Sequence, residues 1–203
     1  MGVAVTDRDG GTTMRRGAWC LPMLWAVSLA LIPAGNAQED VYYARCNLKV
    51  LEGNEITWIN WQAAPTFIPV GTKLQVTRKK DTASLVNPET KTTYTLDIGA
   101  DGDAYLEKFV TKRPVDIAQF SAEVQANIRQ AVAKVGMTKE QVYIAMGPPT
   151  NVGKERTNTM TYDQIMASNL WVYARRRFAK NIGVAFDPAT GLVNRTEGIW
   201  GKD

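Results

Sequence analysis

Apolar residues along this chain change their spacing once, near Arg113-Pro114, and that switch constrains the fold more than any motif does. From Val41 to about Phe109 the spacing is two. Leu48 and Val50, Ile56 and Trp58, Leu74 and Val76, and Tyr94, Leu96 and Ile98 each alternate with polar or small neighbours. Such alternation is the mark of half-buried strands. Turn residues separate them at Glu52-Gly53-Asn54, Val70-Gly71-Thr72, Asn87-Pro88-Glu89 and Gly99 to Asp103. Four to six short strands are therefore expected, forming a small all-β domain over residues 38–115, either an SH3-like barrel or a curled sheet.

Past Arg113 the period becomes helical. Val124, Ile128, Val132 and Val135 predict an amphipathic helix with Gly136 as its left-handed terminator. A second helix starts at once: Thr138 is a good N-cap, Gln141 completes a capping box, and Met137 and Val142 occupy the hydrophobic-staple positions. Gly147-Pro148-Pro149 stops it after about two turns. Two helices joined by a one- or two-residue corner are expected within Ser121–Met146. Thr150 to Ser168 reads as a long polar loop. Strands then resume at Leu170, at Ile182 and, after the turn Asp187-Pro188-Ala189-Thr190-Gly191, at Leu192. Residues 116–203 thus predict two helices on one face of a three-stranded antiparallel sheet, and the chain as a whole an α+β protein.

Residues 1–37 stand apart. Arg15 and Arg16 precede an uncharged apolar run from Ala18 to Ile32, and small residues follow up to Ala37. This is the layout of a secretory signal cleaved near Ala37. An uncleaved anchor is the competing reading, but the run is short for a bilayer and contains Pro22. The Arg15-Arg16 pair also hints at twin-arginine export, without the bulky apolar residues expected after it. Export leaves Cys46 as the lone cysteine of the mature chain, either a buried thiol or a partner in an intermolecular disulfide.

Composition removes several functions. The 203 residues include no His, so neither a Ser-His-Asp nor a Cys-His nucleophile, nor a His-ligated metal, can be built. Carboxylate-only catalysis remains open in principle, yet no Asp/Glu pair is nominated by spacing. Asp101, Asp103 and Glu107 do not match a calcium-binding loop and read as a hairpin turn. The expectation is a non-enzyme without cofactor or metal. A net charge of +4 would suit nucleic acid, but export and the lack of a distributed basic face argue against it.

Two clusters are candidates for recognition. Trp58 and Trp61, with Phe67, could line a groove for peptide or glycan, or could fill the core of a small barrel. Arg175, Arg176, Arg177 and Phe178, with Lys180, form a basic run at a strand end. It is suited to an acidic protein or anionic lipid headgroups, or else is a solvated hairpin. Trp171, Tyr173 and Phe186 are expected in the core.

Gly136-Met137-Thr138-Lys139-Glu140-Gln141-Val142, Met146-Gly147-Pro148-Pro149, Trp171-Val172-Tyr173 and Val184-Ala185-Phe186-Asp187 with Gly191 resemble the pattern of the BamE-like (SmpA/OmlA) outer-membrane assembly factors. The resemblance covers residues 120–196. It implies a periplasmic, non-catalytic scaffold, associated with the inner face of the outer membrane, that contacts β-barrel assembly components and lipid. The sequence departs from that family in lacking a lipidated Cys after the signal, in its strand-rich residues 38–113, and in its long loop after Thr150. A soluble periplasmic or secreted binding protein, inhibitor-type or cell-wall-associated, is the alternative.

Overall fold

The computed structural model describes residues 40–57, 66–99, 102–175 and 180–199. The signal-like stretch 1–37 lies outside them. Gln38–Asp203 forms one compact unit. In chain order the strands are β1 Asp40–Ala44, β2 Leu48–Val50, β3 Glu55–Thr57, β4 Thr66–Ile68, β5 Lys73–Arg78, β6 Thr82–Val86 and β7 Thr93–Asp97. Helix α1 Gly102–Leu106 and β8 Val110–Thr111 follow, then helices α2 Ala122–Arg129 and α3 Lys139–Met146. The chain ends with β9 Asn151–Val152, β10 Glu155–Arg156, a 3-10 turn at Thr157–Thr159, helix α4 Tyr162–Ala167, β11 Leu170–Tyr173, β12 Asn181–Phe186 and β13 Val193–Ile199.

These elements overturn the expected α+β pair of small domains. The described chain is mostly β: eight strands curl into one sheet in the order β4-β2-β3-β7-β6-β5-β1-β8, and five more form a second in the order β10-β9-β11-β12-β13. Among the described residues there is neither an SH3-like barrel nor a three-stranded sheet under two helices; the first sheet is curled, as the alternative expectation had it, but has eight strands. Three local causes account for the difference. The polar stretch after Thr150 holds a hairpin, because Gly153 takes φ 60° and lets β9 pair with β10. Helix α2 ends at Arg129, short of Val135, because Ala131 adopts φ 55° and Val132 N–H donates back to the Asn127 carbonyl, a Schellman closure. Gly102 and Asp103, expected in a hairpin turn, instead open α1, where Asp103 pairs with Arg78.

The second helix starts as its sequence dictates. Thr138 Oγ1 accepts from Gln141 N–H at 3.2 Å, and Gln141 Oε1 accepts from Thr138 N–H at 2.9 Å. Met137 and Val142 are both buried. Thr138→Ala removes one half of this reciprocal pair and is expected to cost about 1 kcal/mol in thermal or chemical unfolding. A change under a few tenths would show that the cap contributes nothing here.

Both sheets and the helices share one core. Leu48, Leu74, Leu85 and Leu96 of the first sheet belong to the same buried cluster as Tyr143, Trp171, Tyr173 and Phe186. Trp171, Tyr173 and Phe186 are core residues, as expected. Trp171 stands edge-on to both Tyr143 and Phe186, and its Nε1 donates to the Ile165 carbonyl at 3.0 Å.

Polar groups tie the seam. Asn47, just before β2, donates from Nδ2 to the carbonyls of Ile128 (2.7 Å) and Ala145 (2.9 Å), and its Oδ1 accepts from Val70 N–H at 3.1 Å. Lys108 Nζ donates to the carbonyls of Thr157 (2.8 Å) and Asn158 (3.2 Å), while its own carbonyl accepts from the Tyr143 hydroxyl at 2.9 Å. Gly147, at φ 73°, passes so close to the first sheet that an added Cβ would meet Cys46 Sγ at 3.3 Å. Only glycine fits there without displacing the thiol.

Candidate functional site

Of the residues proposed from sequence for recognition, Trp58, Trp61, Arg176, Arg177 and Phe178 lie outside the described residues. Arg175 lies within them. It follows β11, is half-buried, and its N–H donates to Asn181 Oδ1 at 3.1 Å, which draws the ends of β11 and β12 together.

That placement sets Arg175 on a groove of about 380 Å³. One wall is the connection that follows α2. The left-handed turn at Ala131 redirects the chain there, and Gly136 N–H to the Val193 carbonyl (2.8 Å) and Val193 N–H to the Met137 carbonyl (2.8 Å) stitch the connection to the start of β13. The other wall is the β12–β13 pair. Ala131, Val132, Met146 and Ile182 make an apolar floor, and Lys134, Arg175 and Glu197 stand around it. Lys180 lies close by, its aliphatic stem crossing Gly198, where an added Cβ would lie 3.0 Å from Lys180 Cδ. Two cations from separate segments, Lys134 and Arg175, therefore line one apolar depression beside the carboxylate of Glu197, with Lys180 just outside it.

Sequence reading could not assign Lys134 to this groove. It falls within a run that has helical spacing, and only the early end of α2 places it on the rim. No protein-family model, curated protein or solved structure matches the chain.

A larger depression of about 760 Å³ lies over the β9–β10 hairpin and α4, lined by Glu155, Arg156, Asn158, Thr159 and Gln164. Val152, Met160 and Ala167 give it some apolar lining, but polar groups make up more of its wall, and a single cation, Arg156, faces a single carboxylate, Glu155, so it is the weaker candidate. A third cleft of about 210 Å³ holds Arg45, whose guanidinium stacks 4.4 Å from the Tyr162 ring centre. Arg45 Nε is buried there and has no hydrogen-bond acceptor among the described residues.

Cys46 is fully buried, and burial pushes its thiol up to about 12. It is a protonated core residue, out of reach of a second chain. Beside it, burial lowers the Lys49 ammonium to about 7. Lys49 Nζ lies 5.8 Å from the Tyr173 ring centre, inside the seam rather than in any cleft. Tyr143 and Tyr173, enclosed in the same core, are held well above the usual phenol range, first by burial. Among the described residues no cluster of three Cys, Asp or Glu side chains could hold a metal ion, and no helix is long and apolar enough to cross a membrane.

Proposed function

We propose that the chain is an exported, non-catalytic binding protein of the bacterial cell envelope, and that the Arg175 groove receives an acidic segment of a partner protein. The observation that supports this is the convergence of Lys134, Arg175 and nearby Lys180 around the floor made by Ala131, Val132, Met146 and Ile182. An apolar floor, and a rim on which Lys134 and Arg175 outnumber the one carboxylate of Glu197, suit a segment in which apolar anchors alternate with carboxylates. The floor supplies affinity, and the guanidinium supplies orientation through paired hydrogen bonds. The absence of histidine from the sequence removes the usual bases and nucleophile partners, which favours binding over catalysis.

Support for outer-membrane protein assembly is the more specific form of this reading. It rests on the resemblance carried by Gly136–Val142 and Trp171–Tyr173. Affinity purification from detergent-solubilised envelopes, with wild type beside Arg175→Glu, tests both levels. The expected result is recovery of β-barrel assembly components by wild type, with at least a severalfold loss in the variant while the melting temperature stays close to wild type. Equal recovery by both proteins would remove the groove from the proposal. Recovery of a periplasmic protein outside that machinery, with the same loss in the variant, would keep the groove and replace the assembly role with that of a soluble binding protein.

A further inference from the structure

We propose that the cavity between the loop after β4 and the end of α2 binds a small amphiphile, an alkyl chain ending in one carboxylate, with the chain enclosed and the carboxylate on Arg129. The cavity measures about 390 Å³, within the range of small-molecule sites. Its walls come from three parts of the chain. Phe67, Pro69 and Val70 belong to β4 and the loop after it, Ile117 to the stretch between β8 and α2, Ile128 to α2, and Ala131 to the turn that closes that helix.

These walls are pinned to one another. At the floor, Asn47 donates from Nδ2 to the Ile128 carbonyl at 2.7 Å and accepts on Oδ1 from Val70 N–H at 3.1 Å, so one amide sets the distance between the loop and the helix. The third wall is fixed at Gly71, which comes so close to the stretch before Ile117 that an added Cβ would lie 3.1 Å from the Val115 carbonyl oxygen. The cavity is therefore formed before any ligand arrives, and binding does not have to order its walls.

Its lining selects an apolar occupant. Ile128 and Ala131 are buried at its inner end, Val70 and Ile117 are half-buried, and Phe67 stands exposed at its mouth. Asn47 is the polar side chain at the floor, and both of its N–H groups go to carbonyls, those of Ile128 and Ala145. With Val70 N–H on its oxygen, the amide keeps at most one lone pair for anything inside. An enclosed water needs roughly two to four polar partners, so water is poorly held there and an alkyl chain displaces it at little cost.

One cation sets the other end of the ligand. Arg129 is the one charged residue lining the cavity among the described residues, and it is exposed, at the last turn of α2. Its Nη2 donates to Gln125 Oε1 at 3.0 Å, which uses one of its five N–H groups. A guanidinium takes a carboxylate through two parallel hydrogen bonds. A carboxylate brings the single charge that Arg129 balances, whereas a phosphate monoester brings close to two near neutral pH and leaves the second without a partner. The Arg175 groove shares only Ala131 with this cavity, so neither reading depends on the other.

Isothermal titration of the purified protein with butanoate, hexanoate and octanoate, each below its micelle concentration, reads the outcome. Affinity is expected to rise about fourfold per added methylene. Wild type should bind 1-octanol more weakly than octanoate. Arg129→Met is expected to weaken octanoate at least severalfold and to leave 1-octanol unchanged. Ile117→Trp fills the cavity and is expected to abolish binding of both while the melting temperature stays close to wild type; should it lower that temperature, Phe67→Trp at the exposed mouth repeats the block. No saturable binding of octanoate by wild type, an affinity independent of chain length, or octanoate binding indifferent to Arg129→Met overturns the proposal. Each of these results leaves the Arg175 groove as it stands, since that groove is read by Arg175→Glu.

Discussion

Replacing Asn47 by leucine is expected to destabilise the protein by about 4 kcal/mol, the largest loss from any single side chain described above. Asn47 is only 6% exposed, and its amide satisfies three backbone groups at once: the carbonyls of Ile128 and Ala145 and the N–H of Val70. Those groups belong to α2, to α3 and to the loop after β4, so one side chain ties all three elements together. Leucine matches the volume but offers neither donor nor acceptor, so three polar groups would remain buried and unsatisfied. Each such group costs roughly 1–3 kcal/mol. Asn47→Asp keeps the acceptor for Val70 N–H but sets a buried carboxylate oxygen against the two carbonyls, so it is expected to cost at least as much. Denaturant unfolding of both variants provides the measurement. A loss below about 1 kcal/mol for Asn47→Leu would mean that water reaches these groups and that the seam is looser than described.

Lys49→Met is expected to act in the opposite direction, raising stability near neutral pH by about 2 kcal/mol. All three residues of β2 are buried, and the middle one is this lysine, at 2% exposure. Burial lowers its ammonium from the usual 10.5 to about 7. Between those values the unfolded chain carries a proton that the folded chain lacks. Folding stability therefore rises with pH across that window, by about 1.4 kcal/mol per pH unit for one proton. Cys46 opposes it from higher pH. Its thiol titrates at the usual 9.0 when unfolded and near 12 when folded, so above about 9 the unfolded chain is the one that has lost a proton.

The combined expectation is a stability curve that climbs from pH 7 to about 9, levels off while the two effects cancel, and falls beyond about 10.5. Methionine keeps the apolar stem, removes the titrating group, and flattens the climb. Chemical denaturation of wild type and Lys49→Met at several pH values between 7 and 9 checks this. A wild-type curve without a rise in that window would exclude Lys49 as a buried amine.

Local chemistry makes several of these elements legible in the sequence. The Thr138–Gln141 capping box needs only residues three apart, and the Asp187 turn needs only one carboxylate within reach of the Ala189 and Thr190 amides. Those amides hold the Asp187 carboxyl below its usual range, with the Thr190 N–H as the main cause. The alternation at Leu74 and Val76 and at Tyr94 and Leu96 likewise marks β5 and β7. Contacts beyond a few residues were not readable. β3 lies parallel to β7, Glu55 opposite Thr95, which no short-range pattern specifies. Helical spacing through Val132 and Val135 gave no sign that Ala131 would turn left-handed, and the end of α2 there is what carries Lys134 to the groove.

The sequence by itself determined the composition limits, the caps and turns, and the core identity of Trp171, Tyr173 and Phe186, because each depends on a residue's own chemistry or on neighbours a few positions away. Tertiary structure alone decided that eight strands and five strands share one core, that Lys49 and Cys46 meet inside it, and that the connection after α2 runs beside the start of β13. Those outcomes depend on groups far apart in the chain reaching mutual burial and hydrogen bonding, as the amide of Asn47 does with carbonyls 81 and 98 residues away.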